Sequence, residues 1–450
     1  MRLTFPGPIQ RRFEATDSSS NASGRTAILK AIIEHASPAL LSSARFVARA
    51  LIVAFVLVCV FDPADLVLGL KVWIFLALWP ATLAVGVLAR GRIQLPVDLL
   101  IIALLFVLIP ILSIVWYYLA SGVEPYAGVA LLKSYLFVSL AIILFVNQTD
   151  VTPILSAALT VLALLTIAIF VTVSLYPALF QPIHEWGERT GIFLVSYRSY
   201  GDGLLFTQVA FATAPMLTVA ISYYFDRAMS GAEVRPRLAY AVLTMLGITA
   251  MLLVGLRNTM AVALLLPSFL WPIYTRRPGR NALISLAVLI ALCVPFVGKL
   301  KAFLDPAELS NNIKLTFLAD YANIFSDPVN LSFGQGLGAF YKWSTSGLPE
   351  FEKTGSNFYF VAELTYPEMI RSFGLVGATV MLALVLYPVG RTFLARSGRA
   401  QRAQAIGILA YLGMSATNPL LFSSSGMLIW TALLVATFRG VAPACPSLKA

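Results

Sequence analysis

The sequence predicts an all-α polytopic integral membrane protein with about twelve transmembrane helices and a long outer loop between spans 9 and 10. Three observations predict it. The chain of 450 residues is 59% apolar and only 12% charged, with a mean hydropathy of +0.84; an average soluble domain carries about twice that charge. Apolar runs of about 20 residues recur, each long enough to cross roughly 30 Å of hydrocarbon. Lys and Arg cluster in alternate connections, as insertion and the anionic inner leaflet require. An outer-membrane barrel would show short alternating segments instead.

Residues 1–45 form a polar N-terminal tail, with TDSSSNASG at its centre, leading into a possible interfacial helix over Thr26 to Ala44. No cleavable signal pattern precedes the first apolar run. Residues 46–299 hold the first nine spans, placed at 46–62, 69–89, 94–119, 127–147, 151–176, 204–225, 239–255, 259–274 and 282–299, and include an outer loop over 177–203. Residues 300–371 form the long outer loop. Residues 372–450 supply the last three spans, at 372–390, 403–421 and 425–439, and a short tail. The basic clusters (the N-terminal arm, Arg90/Arg92, Arg227/Arg235/Arg237, Arg276/Arg277/Arg280 and Arg391/Arg396/Arg399/Arg402) then all lie inside, with both termini.

The formal net charge of +11 follows this inside bias rather than one basic face, so nucleic acid is not an expected partner. Cys59, Cys293 and Cys445 have neither CxxC nor metal-ligand spacing, which argues against a disulfide framework and a zinc site. No cofactor and no metal are expected. No internal repeat or matched pair of broken helices marks a transporter.

Arginine at the outer end of a span needs a reason. Arg189 and Arg198 stand in FQPIHEWGERTGIFLVSYRSYGDG, Arg257 in the short turn of MLLVGLRNTMAVALL, and Arg371 beside Glu368 near the end of the long loop. Each has a bland reading, as a snorkelling side chain or an ion-pair partner. The functional reading is an anion clamp, because a guanidinium stays charged and its planar fork matches phosphate oxygens. His184 reads as a solvated loop histidine or an acid–base group. Lys133, inside the fourth span, is expected to face the bundle interior near Glu124 or Asp98, as a second-rank substrate contact.

Glu363 is the sharpest candidate. If its segment is helical, Glu363 and Tyr366 share a face, with Tyr359 one turn earlier. A carboxylate shielded by aromatics is suited to take a proton from a sugar hydroxyl. The competing reading is an interfacial aromatic belt. The run Gly334, Gly336, Gly338 lies outside any strand–turn–helix context, so it indicates a tight turn or close approach to a glycan rather than a nucleotide site.

Three stretches, LLVGLRNTMAVALLL, NIFSDPVNLSFGQGLGAFY and ELTYPEMIRSFGLVG, together resemble the O-antigen ligase/polymerase family of bacterial glycan-transfer membrane proteins. With the spans between them they cover about a third of the chain. Ligases of that family typically carry a histidine where the loop ends; here Glu363 stands there, and neither His35 nor His184 falls in that loop. The departure favours the polymerase branch.

The resemblance implies a glycosyltransferase of the bacterial inner membrane, N-in and C-in, whose periplasmic loop carries the site. It would build lipopolysaccharide O-antigen or exopolysaccharide by metal-independent, inverting transfer. A glycan on undecaprenyl pyrophosphate would move to a lipid-linked repeat unit. Arg198 or Arg189 and Arg257 would hold the pyrophosphate, Glu363 would act as base, and Tyr366, Glu368, Arg371, Gly336 and Gly338 would line the substrate. Membrane lipids, a chain-length regulator and a flippase of the same pathway are the implied partners. The alternatives are a ligase that passes glycan to lipid A core, and, in another class, a flippase or secondary transporter.

Overall fold

The computed structural model describes residues 38–63, 69–89, 95–199, 205–231, 233–275, 309–341, 364–395, 397–416 and 421–439, with short pieces between 277 and 287. Residues 1–37, most of the expected ninth span at 282–299, and Glu363 lie outside them.

Among the described residues, seven helices are long and apolar enough to cross a membrane. They are α1 (Pro38–Phe61, apolar from Leu40), α2 (Leu70–Leu88), α3 (Val97–Ser121), α4 with α5 (Tyr126–Leu136 and Leu140–Val146), α6 (Thr152–Leu175), α9 (Val234–Leu253) and α13 (Thr365–Leu394). Shorter helices pack among them: α7 (Phe180–Thr190), α8 (Leu217–Ser230), α10 (Arg257–Leu270), α11 (Leu309–Phe325), α12 (Pro328–Phe333), α14 (Arg399–Ser415) and α15 (Ser424–Arg439). A sheath of exposed apolar side chains, among them Trp73, Leu83, Leu112 and Leu264, faces outward. A soluble bundle would keep such residues in its core, so this surface suits hydrocarbon.

The core runs along α1, α3, α6, α8 and α13–α15. At its centre Trp430 is 1% exposed, packs 4.8 Å from Phe106, and donates its indole N–H to Val385 O at 2.9 Å. That bond removes the one polar cost of burying the ring.

Several expected elements differ. Residues 38–44 do not form a separate interfacial helix; they are the first turns of α1. The fourth span is interrupted by a 3-10 turn at Phe137–Ser139. The expected loop at 177–203 and the start of the expected sixth span instead form α7 and a hairpin, β1 (Phe193–Ser199) and β2 (Leu205–Phe211). The strands pair antiparallel, from Phe193 opposite Phe211 to Ser199 opposite Leu205. FLVSYRS and LFTQVAF are short apolar runs, and such runs fit a buried strand as well as the end of a span.

The long loop is also partly helical. It holds α11 and α12, and α13 begins at Thr365, ahead of the expected 372, so Tyr366, Glu368 and Arg371 lie on a helix. Leu364, which caps that helix, is extended (φ −95°, ψ 97°). The helical face expected for Glu363 and Tyr366 falls outside the described residues at Glu363.

Within α13, Gly374 is non-helical (φ 68°, ψ 173°) and divides a head over residues 365–373 from a span over 375–394. A β-carbon there would collide with Ser332 O, so glycine is needed for both conformation and space.

Candidate active site

The bundle end that carries the hairpin gathers most of the expected site residues, in two neighbouring constellations. The first is the head of α13. A proline at its first turn and Asp327, which accepts from Val329 N at 3.0 Å, start α12. Gly334 (φ 78°) ends α12, and the chain then threads as a thin strip over residues 334–339 between α3, α4 and the α13 head.

The kink at Gly374 deprives nearby carbonyls of helical partners, and the strip and α3 replace them. Gln335 N donates to Arg371 O at 2.6 Å, and Ser113 Oγ donates to Ser372 O at 2.5 Å while accepting from Leu337 N at 2.8 Å. Trp116 Nε1 donates to Gly334 O at 3.0 Å.

Arg371 is fully buried at the centre of this head. Its Nε donates to Glu368 Oε2 at 2.9 Å, its Nη2 to Glu368 Oε1 at 2.5 Å, and its Nη1 to Ala339 O at 3.0 Å. Tyr321, on α11, donates to Glu368 Oε2 at 2.9 Å, and Ser372 Oγ donates to Oε1 at 3.2 Å. Burial pushes the Tyr321 phenol far above its usual range; Glu368 adds to this and Arg371 opposes it. The phenol therefore stays a donor. This network occupies the guanidinium fork, so Arg371 ties α11 and the strip to α13 and presents no open face to a phosphate.

The glycines serve the same seam. A β-carbon on Gly336 would stand 2.4 Å from Tyr117 Cβ, and one on Gly338 would overlap the backbone of Gly128. Their open sides are filled by helix backbone, which accounts for glycine there without a glycan.

The second constellation surrounds the Arg257 turn. Gly255 (φ 68°) packs on Phe206 and Gln208 of β2, and α10 begins at Arg257. Gln208 Nε2 donates to Ser196 Oγ across the hairpin at 2.5 Å. Arg198 holds the register position opposite Phe206, whose ring lies against Gly255. Arg189 is exposed in the last turn of α7. Its neighbour Glu188, and Leu256 beside Arg257, line one cavity of about 350 Å³ at the hairpin base. His184 is tied down rather than solvated: Nδ1 lies 2.7 Å from Val195 O and Nε2 3.4 Å from Glu188 Oε1.

The last turn of α14 joins the two constellations. Tyr366 donates to Leu412 O at 2.8 Å, and Asn258, next to Arg257, donates to Met414 O at 3.3 Å. Lys133 stands apart: it is exposed on α4 rather than facing the interior, and Asp98 instead lies 3.7 Å from Arg391. A lysine on the second turn of a span snorkels without a buried partner. Among the described residues no three His, Cys, Asp or Glu side chains converge as metal ligands.

Tyr321 and Ser113 carry the α13 head, yet neither stands out in the sequence. Tyr321 lies 47 residues from its carboxylate. Ser113 offers one signal, a lone hydroxyl within the apolar run VLIPILSIVW.

Fold and site together define a helical, membrane-embedded protein with an arginine-bearing hairpin end and a buried acid–arginine pair beside it. No family model matches the sequence, and a search of curated proteins found no match.

Proposed function

We propose that the protein is a glycosyltransferase of the bacterial inner membrane, a polysaccharide polymerase that moves a glycan from undecaprenyl pyrophosphate to a lipid-linked repeat unit on the periplasmic side. About twelve spans with both termini inside belong to this reading. The observation that carries it is the shared seat on α14: the turn bearing Arg257 and the α13 head that follows Glu363 dock on carbonyls two residues apart.

Arg257 occupies the first position of α10, where a cation opposes the helix dipole. An arriving pyrophosphate reverses that cost, since both the N–H groups and the guanidinium attract it. Glu363 takes the proton from the acceptor hydroxyl. The oxygen then bonds to the anomeric carbon with inversion, and the C–O bond to the pyrophosphate breaks. The pyrophosphate leaves with the electron pair, stabilised by Arg257 with Arg198 or Arg189. Glu368 and Arg371 hold the head in place.

The test is lipid-linked glycan made by membranes carrying Glu363→Gln or Arg257→Ala. Both are expected to accumulate single repeat units. Full-length polymer from either would remove that residue from the site, and long chains on a lipid A core from the wild type would indicate the ligase.

A further inference from the structure

A second cavity, of about 280 Å³, lies where the turn between α5 and α6 meets the start of α14 and the end of α15. From here α6 runs its 24 residues, about 36 Å, to the connection that leads into α7 and the hairpin. The cavity therefore sits at the opposite end of the bundle from the candidate active site. Its charged and amide walls are Asp150, Gln401, Gln404 and Arg439; the rest is mainly aliphatic, with no aromatic ring.

Each of these four side chains is held by one bond. Arg439 Nη2 donates to Leu144 O at 2.5 Å, Gln401 Nε2 to Ala436 O at 2.9 Å, and Gln404 Nε2 to Thr152 Oγ1 at 3.2 Å. Asp150 Oδ1 accepts from Thr152 N at 3.0 Å. Among the described residues, Arg439 Nε and Nη1, Asp150 Oδ2 and both amide oxygens have no further partner, and no ion pair joins Asp150 to Arg439. Snorkelling accounts for Arg439 and helix capping for Asp150. Neither accounts for a cation, a carboxylate and two amide oxygens lining one cavity without closing on each other.

Such a lining favours a zwitterion. A lone anion would meet Asp150 and a lone cation Arg439, whereas a ligand with both charges satisfies both. The three acceptor groups call for N–H donors, and a quaternary ammonium would want the aromatic faces that are missing here. The volume exceeds the roughly 150 Å³ that holds a benzene ring, and phosphoethanolamine, of about eight non-hydrogen atoms, fits within it. Two apolar spans end at this level, which is head-group depth. We propose that the cavity binds the head group of a phospholipid with a primary ammonium, its phosphate on Arg439 and its ammonium among Asp150, Gln401 and Gln404. The inference stands apart from the polymerase reading.

The test gives full-length protein in detergent micelles equimolar dioleoyl phosphatidylethanolamine, phosphatidylcholine and phosphatidylglycerol, and counts retained lipid by native mass spectrometry. One phosphatidylethanolamine should be kept in preference to either other lipid, by about tenfold. Asp150→Asn keeps the oxygen that caps α6 but removes the charge, and should cut the preference over phosphatidylcholine about fivefold, the scale of one ion pair at an exposed carboxylate. Arg439→Gln should weaken retention of all three lipids alike, since each carries a phosphate. Equal retention of phosphatidylcholine or phosphatidylglycerol by the wild type, or a preference that Asp150→Asn leaves unchanged, overturns the proposal. Glycerophosphoethanolamine supplies the same charges without acyl chains. If it displaces the bound lipid at equal concentration, the ligand is a soluble zwitterion and the lipid assignment falls.

Discussion

Replacing Arg371 by methionine should be among the most damaging single changes outside the apolar core. The guanidinium is fully buried and gives two bonds to Glu368 and one to Ala339 O. Two charge-assisted bonds at about 1.5–3 kcal/mol each, and a carboxylate left without its counter-charge, put the loss at about 3–5 kcal/mol. The carboxylate keeps its donors Tyr321 and Ser372, which holds the figure to that range. The double variant Arg371→Met/Glu368→Leu removes the orphaned charge and should cost at least about 2 kcal/mol less than the two single changes summed. Equilibrium unfolding of the full chain in mixed micelles, followed by tryptophan fluorescence, measures all three. A single variant within about 1 kcal/mol of wild type, or a strictly additive pair, would refute the claim that this ion pair holds the α13 head.

Gly336→Ala should destabilise by about 2 kcal/mol or more, since it forces a positive φ on alanine and a β-carbon against Tyr117. Gly390→Ala, with nothing within 4 Å, should be neutral or slightly stabilising in the same unfolding assay. Asp98→Asn should change stability by less than about 1 kcal/mol, with the difference vanishing in high salt, because the contact with Arg391 is 3.7 Å long and Asp98 is largely exposed.

Composition and hydropathy suffice to read the long apolar helices, because in hydrocarbon a segment must satisfy its own backbone and only a helix does so alone. The ends of α1, α2, α3, α6 and α15 fall within a few residues of the sequence reading, α1 apart at its N-terminus. The Glu368–Arg371 contact is also legible, since residues three apart share a helix face.

Distance along the chain hides the rest. Nothing local distinguishes LFTQVAF as a strand from the start of a span; the pairing with FLVSYRS, across a turn, decides it. Gly334, Gly336 and Gly338 read as a tight turn or a close approach to a glycan, yet each meets backbone or side chain from α3, α4 or α13, contacts more than 30 residues away in sequence. Lys133 was expected inside because charge is costly in lipid, but two turns from a helix end the side chain has a cheaper route to water. The sequence by itself determined a chain that must live in a membrane and the charges it carries outside the basic clusters. Only the tertiary structure decided that Arg371 is fully buried and tied to Ala339 O, and that the Arg257 turn and the α13 head meet on α14, because those choices depend on which helix ends pack together.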